Sequence, residues 1–257
     1  MKISIITATY NRGNTLRDTF DSILSQTHKD IECIVIDGAS TDDTVDIIKE
    51  YESRFDGAMR WVSEADRGLY DAMNKGIALA TGDVVGILNS DDFYTSNDVL
   101  EQIARAFDTE SVDAVYGDIH FIEEADLGRC VRYYSSAGFR PWKMRMGWMP
   151  AHPSFYCKRS VYERYGTFDC SFKVGADFEN LLRLIFVNRI DIKYLPLDFV
   201  TMRMGGVSTS GLRIHKQILR DHMRAYEKNG VYSNYLLDGS RYVGKLLDLC
   251  IQKIARR

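Results

Sequence analysis

Residues 84–92 read VVGILNSDD, an apolar run that stops at Asn89, Ser90, Asp91 and Asp92. Two carboxylates side by side repel, and more so next to apolar neighbours, so the pair calls for a positive partner. Helix capping does not supply the reason. The next helix carries its own capping box, Asp98-x-x-Glu101, and Asp91 and Asp92 lie too far upstream to serve it. A divalent cation shared with phosphate oxygens does supply it: Mg2+ and Mn2+ suit such carboxylates.

Other polar residues fall where a second, similar loop would be. The run ISII (3–6) gives way to Thr7, Thr9, Tyr10, Asn11 and Arg12, and the run IECIVID (31–37) ends on Asp37. A nucleotide needs an aromatic wall for its base, hydrogen-bond partners for its ribose and a countercharge for its diphosphate. Tyr10 and Asp37 suit the first two, and a carboxylate-held cation suits the third.

These residues need elements to hold them. Apolar runs at 3–6, 31–37, 60–63 and 84–88 alternate with helical periodicity at 15–24, 40–55 and 69–80, with Asn14 or Thr15 and Ser40 as N-caps. Such alternation predicts an α/β fold with a mainly parallel central sheet flanked by helices, and ligands in these sheets lie beyond the carboxyl ends of the strands. The second half is less regular. Helices are predicted near 98–107, 159–165 and 176–187, and strands at 114–122, 130–135 and 192–203. An acidic turn holds Glu123, Glu124, Asp126 and Gly128, and a Trp/Met-rich loop spans 141–155. Helix continues from about 213 to the end.

Composition narrows the class. The 257 residues are 45% hydrophobic and 27% charged, a globular balance with ample material for a core. A net charge of −3 gives no reason to expect nucleic acid. Five cysteines, at 33, 130, 157, 170 and 250, show no CxxC spacing, so reduced thiols are expected rather than a disulfide or zinc framework. MKISIITATY is too short and unpatterned for a signal peptide, and no run is long enough to span a bilayer. These features predict a cytoplasmic protein. TATYNRGNT has one glycine where a dinucleotide fold wants three, and no GxxxxGK[ST] occurs, so nicotinamide and ATP readings drop out.

The set IITATYNR, VIDGASTDDT, SEADRGLYDAMNKGIALATGD, ILNSDD and GADFENLLRL, spread in order over residues 1–205, resembles the family-2 glycosyltransferases of GT-A fold, particularly bacterial members that build cell-surface polysaccharides. The resemblance implies a GT-A (nucleotide-diphospho-sugar transferase) domain over 1–212. Residues 1–100 would form its nucleotide-sugar half and 101–212 its acceptor half, with 213–257 a helical C-terminal extension. It implies an inverting, metal-dependent transfer from a nucleotide-diphosphate sugar, UDP-linked first, to a glycan or polyprenyl-linked acceptor, with Mn2+ or Mg2+ as cofactor.

Residue by residue, the resemblance puts Asp92 on the metal, Asp91 on the ribose and phosphate side, and Tyr10 against the base. Thr7, Ala8 and Asp66 join the nucleotide pocket. Asp37 is a less complete match, because many relatives carry two acids where this chain has Asp37-Gly38. Asn74 is placed towards the donor, His152 near acceptor and diphosphate, and Arg203 at the start of a glycine-hinged segment, RMGGVS, that closes over the donor. Asp177 takes the position of the catalytic base, with Glu179 the alternative. The preceding glutamate of relatives is Ala176 here, and Asp177 also suits the N-cap of its helix. Trp142, Trp148 and nearby methionines suit a sugar-stacking wall, a lipid-facing wall or core. The tail RYVGKLLDLCIQKIARR is basic and amphipathic, suited to an anionic membrane surface at the inner face of the cell membrane or to packing on protein, including a second subunit. The competing classes are a sugar-nucleotide nucleotidyltransferase and a non-catalytic nucleotide-sugar-binding module.

Overall fold

The computed structural model describes residues 1–123, 126–204 and 212–241. The β-branched run Ile3–Thr9 forms β1 and is buried along its whole length. A strand apolar on both faces needs cover on both, and helices supply it. After β1 come α1 (Leu16–Leu24), β2 (Ile31–Asp37), α2 (Thr44–Glu52), β3 (Met59–Ser63), α3 (Leu69–Leu79) and β4 (Val84–Ile87). Strands β3, β2, β1 and β4 are parallel neighbours in that order. Their register puts Thr9 beside Asp37 and Asp37 beside Ser63, so the polar strand ends share one edge.

The chain continues through β5 (Phe93–Tyr94), α4 (Val99–Thr109), β6 (Ala114–Glu123), β7 (Asp126–Tyr134), β8 (Phe155–Lys158), α5 (Arg159–Tyr165), α6 (Ala176–Leu181), β9 (Ile192–Arg203) and α7 (Leu212–Lys228). Strand β8 runs antiparallel to β4 and β6, and β6 is parallel to β9. The result is one sheet ordered β3-β2-β1-β4-β8-β6-β9-β5, with β7 on β6. This is the α/β architecture expected, with parallel pairing dominant in the first half and mixed pairing in the second. Two-residue β5 pairs Phe93 with Thr201, which brings the end of β9 beside residues 91 and 92.

Alternation along the strands divides the core into two layers. Ile6, Ile34, Ile36 and Ile87 pack with Phe178, Leu182 and Tyr226, so α6 and α7 belong to this layer. Ile5, Val35 and Val84 pack with Phe20, Ile48, Leu100 and Phe199.

Three local expectations change. The helix expected to start at Ser40 begins at Thr44 with Asp43 as N-cap, because Ser40 instead bonds Asp37 through both its hydroxyl and its N–H. Asp98 does precede α4, but its side chain makes no cap bond. It accepts from Ser96 at 2.6 Å, while Glu101 accepts from Thr27 at 2.5 Å. The helix expected over 176–187 is α only to Leu181 and widens to π over Leu182–Val187. Glu124, the RMGGVS segment beyond Met204 and the basic tail beyond Arg241 lie outside the described residues.

Gly86 in β4 is where the two halves meet most closely. A Cβ there would sit 2.0 Å from the ring of Tyr156. That ring is fully buried, its hydroxyl bonded to that of Tyr94 at 2.6 Å. Gly86→Ala is expected to cost about 1–3 kcal/mol through overpacking, seen as a fall in Tm of roughly 3–10 °C in a thermal melt. An unchanged Tm would show that Tyr156 can move aside.

Candidate active site

The loops after β1 and β2 are zipped together. Asn11 and Ala39 both have left-handed φ, 51° and 61°. The Asn11 N–H donates to Ser40 Oγ at 2.8 Å, and its side-chain oxygen accepts the Thr41 N–H at 2.8 Å. Asp37 is the buried brace of this arrangement, accepting from the Ser40 N–H and from Ser63 Oγ at 2.6 Å. Its carboxylate braces the loop and lines neither the cavity behind Asp92 nor the one beside Trp148. Gly38 keeps the floor open: a Cβ there would lie 2.7 Å from Asp66 Oδ2 and 3.4 Å from the Tyr10 ring. Tyr10 and Asp66 thus form opposite jaws of a cleft, with Asp66 Oδ1 held by the Gly68 N–H at 2.8 Å.

The Asn89–Asp92 loop is pinned by its backbone, which frees its side chains. Thr15, the N-cap of α1, and Thr19, one turn on, donate to the carbonyls of Ser90 and Asp92 at 2.8 Å each. Arg203 donates to the carbonyl of Asp91 at 2.7 Å and lies 5.1 Å over the Phe93 ring, with Asp18 as its ion-pair partner. Asp92 is only 1% exposed, and its Oδ2 has no hydrogen-bond partner. Burial, then the neighbouring Asp91, pushes its carboxyl well above the usual range. Thr9 Oγ1 and Asn89 Oδ1 are also buried without a partner on the same wall. Buried polar groups are normally satisfied, so this wall is built for a polar ligand.

That wall bounds a cavity of about 500 Å3, which also receives Ala8, Tyr10, Asp66, Asp91, His152, Asp177 and Arg203. A second cavity, of about 440 Å3, is walled by Arg132, Trp148, Met149, His215, Ile218 and Arg241. His152 and Asp177 belong to both. The loop before α6 is positioned from two sides. Asp221 of α7 accepts the N–H groups of Val174 and Gly175 at 3.1 Å each, and Tyr70 of α3 donates to the Val174 carbonyl. Asp177 Oδ1 takes its own helix's Phe178 N–H at 2.8 Å and faces the Tyr70 hydroxyl at 3.4 Å. His152 stacks on Phe168, with ring centroids 5.5 Å apart, and its buried Nε2 has no partner.

Three other sequence-derived assignments meet a different setting. Thr7 is fully buried within β1 and reaches neither cavity. Asn74 is a brace, bonded to the Phe168 N–H at 2.9 Å and carbonyl at 2.8 Å, away from both cavities. Glu179, fully buried, is held by Arg183 and by Asn229 at 3.1 Å and lines neither cavity, because two residues along the helix turn it from Asp177's face into the core. Arg67 is an exposed partner of Asp71 at 2.8 Å. Conversely, Tyr70, Lys173 and Asp221 bound or hold the site without having been picked out. Tyr70 lay within a matching motif, but nothing in the sequence marks Asp221, 46 positions from the Gly175 N–H it braces.

A divalent cation fits this setting by its donor chemistry. Among the described residues no three His, Cys, Asp or Glu side chains converge. Asp92, with its free buried oxygen, and Asp91 would hold such an ion only jointly with ligand oxygens, as expected for phosphate-bridging Mg2+ or Mn2+.

The model of glycosyl transferase family 2 matches residues 4–175. An uncharacterised glycosyltransferase of Mycobacterium tuberculosis is 31% identical over 209 residues, 79% of this chain and 76% of its own. Another uncharacterised glycosyltransferase, from Nostoc, is 35% identical over 126 residues, but the match spans only 39% of that protein. Staphylococcus aureus TarS 1-349 in complex with UDP-GlcNAc superposes with a TM-score of 0.69 at 18% identity, over 90% of this chain and 68% of that one. A mannosyltransferase of Pyrobaculum calidifontis in complex with GDP-Man and Mn2+ gives 0.64 at 20%, over 86% and 64%. These two likenesses establish the GT-A fold.

Burial holds the imidazoles of His152 and His222 below their ordinary value, against the opposing pull of Asp177 on the first and Asp238 on the second. Both stay neutral in the native state while the unfolded chain takes up protons below about pH 6.5. Stability is therefore full above that value and falls as pH drops. Urea unfolding is expected to show a loss of about 1–2 kcal/mol between roughly pH 7.5 and 5.5, and His222→Gln should flatten that slope. A slope of the same size in His222→Gln as in the parent chain would contradict the neutral, buried imidazole of His222.

Proposed function

The chain belongs to glycosyl transferase family 2, and from that premise we propose that it moves a sugar from a nucleotide-diphosphate donor onto an acceptor hydroxyl, with inversion at the anomeric carbon. The observation that carries this reading is the meeting of two cavities at Asp177 and His152. Donor and acceptor can occupy separate spaces and face each other across one carboxylate.

In the larger cavity Tyr10 provides the aromatic wall for the base, and Asp66, Thr9 and Asn89 offer acceptors to base and ribose. A UDP-sugar is the first donor to consider, in keeping with the UDP-GlcNAc bound by TarS; the P. calidifontis enzyme binds GDP-Man. Asp92 and Asp91 would hold Mn2+ or Mg2+, which when bound supplies charge stabilisation to the departing diphosphate. Arg203 and the α1 threonines keep the loop carbonyls engaged, so the carboxylates remain turned to the ligand. The smaller cavity, with Trp148 and Met149, suits a sugar ring of a glycan or lipid-linked acceptor in cell-surface polysaccharide synthesis.

Asp177 acts as general base. Its Oδ2 receives the acceptor hydroxyl proton as that oxygen bonds to the anomeric carbon and the bond from that carbon to the diphosphate oxygen breaks. Tyr70 and the Phe178 N–H fix Oδ1, which orients the other oxygen towards the junction. The family match sets aside the nucleotidyltransferase reading. Among the described residues no helix is long and apolar enough to cross a membrane.

Two measurements test this. Asp177→Asn should lower turnover by about two to four orders of magnitude while donor binding persists; near-wild-type turnover would remove Asp177 from the mechanism. In a thermal-shift screen of UDP- and GDP-sugars, Mn2+ should raise Tm with the correct donor, because ligand bound only to the native state stabilises it. Asp92→Asn should abolish the metal-dependent part of that shift. A shift that is the same with and without metal, and unaffected by Asp92→Asn, would overturn the metal assignment.

A further inference from the structure

Residues 136–150, SAGFRPWKMRMGWMP, contain three cations and no carboxylate, although the whole chain is net −3. Within them Pro141–Met146 forms a tight 3-10 turn. Arg140 donates to the carbonyls of Ala137 and Phe139, Lys143 to that of Gly138 and Arg145 to that of Tyr232. Among the described residues none of the three forms an ion pair.

A second segment docks beside this turn. Arg145 lies 5.4 Å over the Tyr232 ring, and the Ser233 hydroxyl donates to the Arg145 carbonyl at 2.6 Å. The Asn234 side chain then caps a turn, accepting the Leu236 N–H at 3.0 Å. This leaves four large side chains in solvent: Trp142 at 58%, Tyr232 at 69%, Tyr235 at 59% and Leu236 at 87% exposure. Lys143 Nζ lies about 6 Å from the rings of both Trp142 and Trp148, so the patch is continuous with the wall of the smaller cavity.

From this surface we infer that residues 140–145 and 232–236 form a docking site for an anionic lipid bilayer. A soluble polyanion would ask only for the cations. The nearly fully exposed Leu236, flanked by Tyr and Trp, fits a bilayer boundary, where aromatic rings sit at headgroup level and aliphatic side chains enter the acyl region. The cations meet acidic headgroups, each adding about fivefold to partitioning. Docked this way, the chain holds its smaller cavity next to the membrane surface. This site differs in sequence from the basic tail beyond Arg241 and does not depend on the identity of the donor.

Flotation of the full chain tests it with vesicles of phosphatidylglycerol and phosphatidylcholine, against phosphatidylcholine alone. Binding is expected only to the acidic vesicles and should weaken with salt. The double variant Lys143→Gln/Arg145→Gln should lower partitioning about 25-fold. Leu236→Asp, at a position too exposed to affect folding, should also reduce it markedly at unchanged Tm. No binding to acidic vesicles would overturn the inference. So would binding that survives both variants, which places the contact elsewhere in the chain. Equal capture by soluble dextran sulfate, insensitive to Leu236→Asp, would do the same in favour of a polyanion.

Discussion

The structure turns on one buried carboxylate. Asp92 stands beside a second acid, out of water, with one oxygen that no protein group satisfies. An isolated arrangement of this kind is unfavourable, because burial and a like charge both oppose ionisation. It persists because the surrounding fold holds the loop by its backbone. Two threonines from α1 and Arg203 from the end of β9 occupy the carbonyls of Ser90, Asp92 and Asp91. The side chains are left with no option but to face the cavity. In the proposed reading, a cation and a diphosphate would relieve this arrangement.

The same economy governs the opposite wall. Asp177 begins a helix and takes its own helix's N–H, yet its loop is fixed from outside by Tyr70 and Asp221. Tyr70 comes from the helix that follows the Asp66 loop, and Asp221 from α7, so both helices set the position of Asp177. Because α7 also walls the smaller cavity and packs Tyr226 into the core with α6, that cavity and the placement of Asp177 share one support. The exposed cationic and aromatic patch adjoins that cavity at Trp148.

Much of this was legible in the sequence. The apolar runs and their polar ends gave the parallel first half of the sheet, and the Asp91-Asp92 pair stood out because adjacent acids after an apolar strand need a reason. Tyr10, Asp66, His152, Asp177 and Arg203 do line the larger cavity. The residues that line neither cavity have a common setting. Asp37 and Asn74 carry the right chemistry in the right segment but spend their hydrogen bonds on the loops beside them. A linear motif does not show whether a polar side chain faces the ligand or the neighbouring backbone. Glu179 illustrates the same limit on a helix, where two residues' separation turns a side chain from the cleft into the core.

What the sequence determined by itself is the alternation of strand and helix, the family to which the chain belongs and the acids that end its strands, since these follow from local periodicity and short motifs. What only the tertiary structure decided is which polar atoms are left unsatisfied. That depends on partners far apart in the chain: Thr15 and Thr19 with residues 90 and 92, Arg203 with Asp91, Asp221 with Gly175. A hydrogen bond satisfied across such distances removes a group from chemistry, and one left unmade reserves it for a ligand.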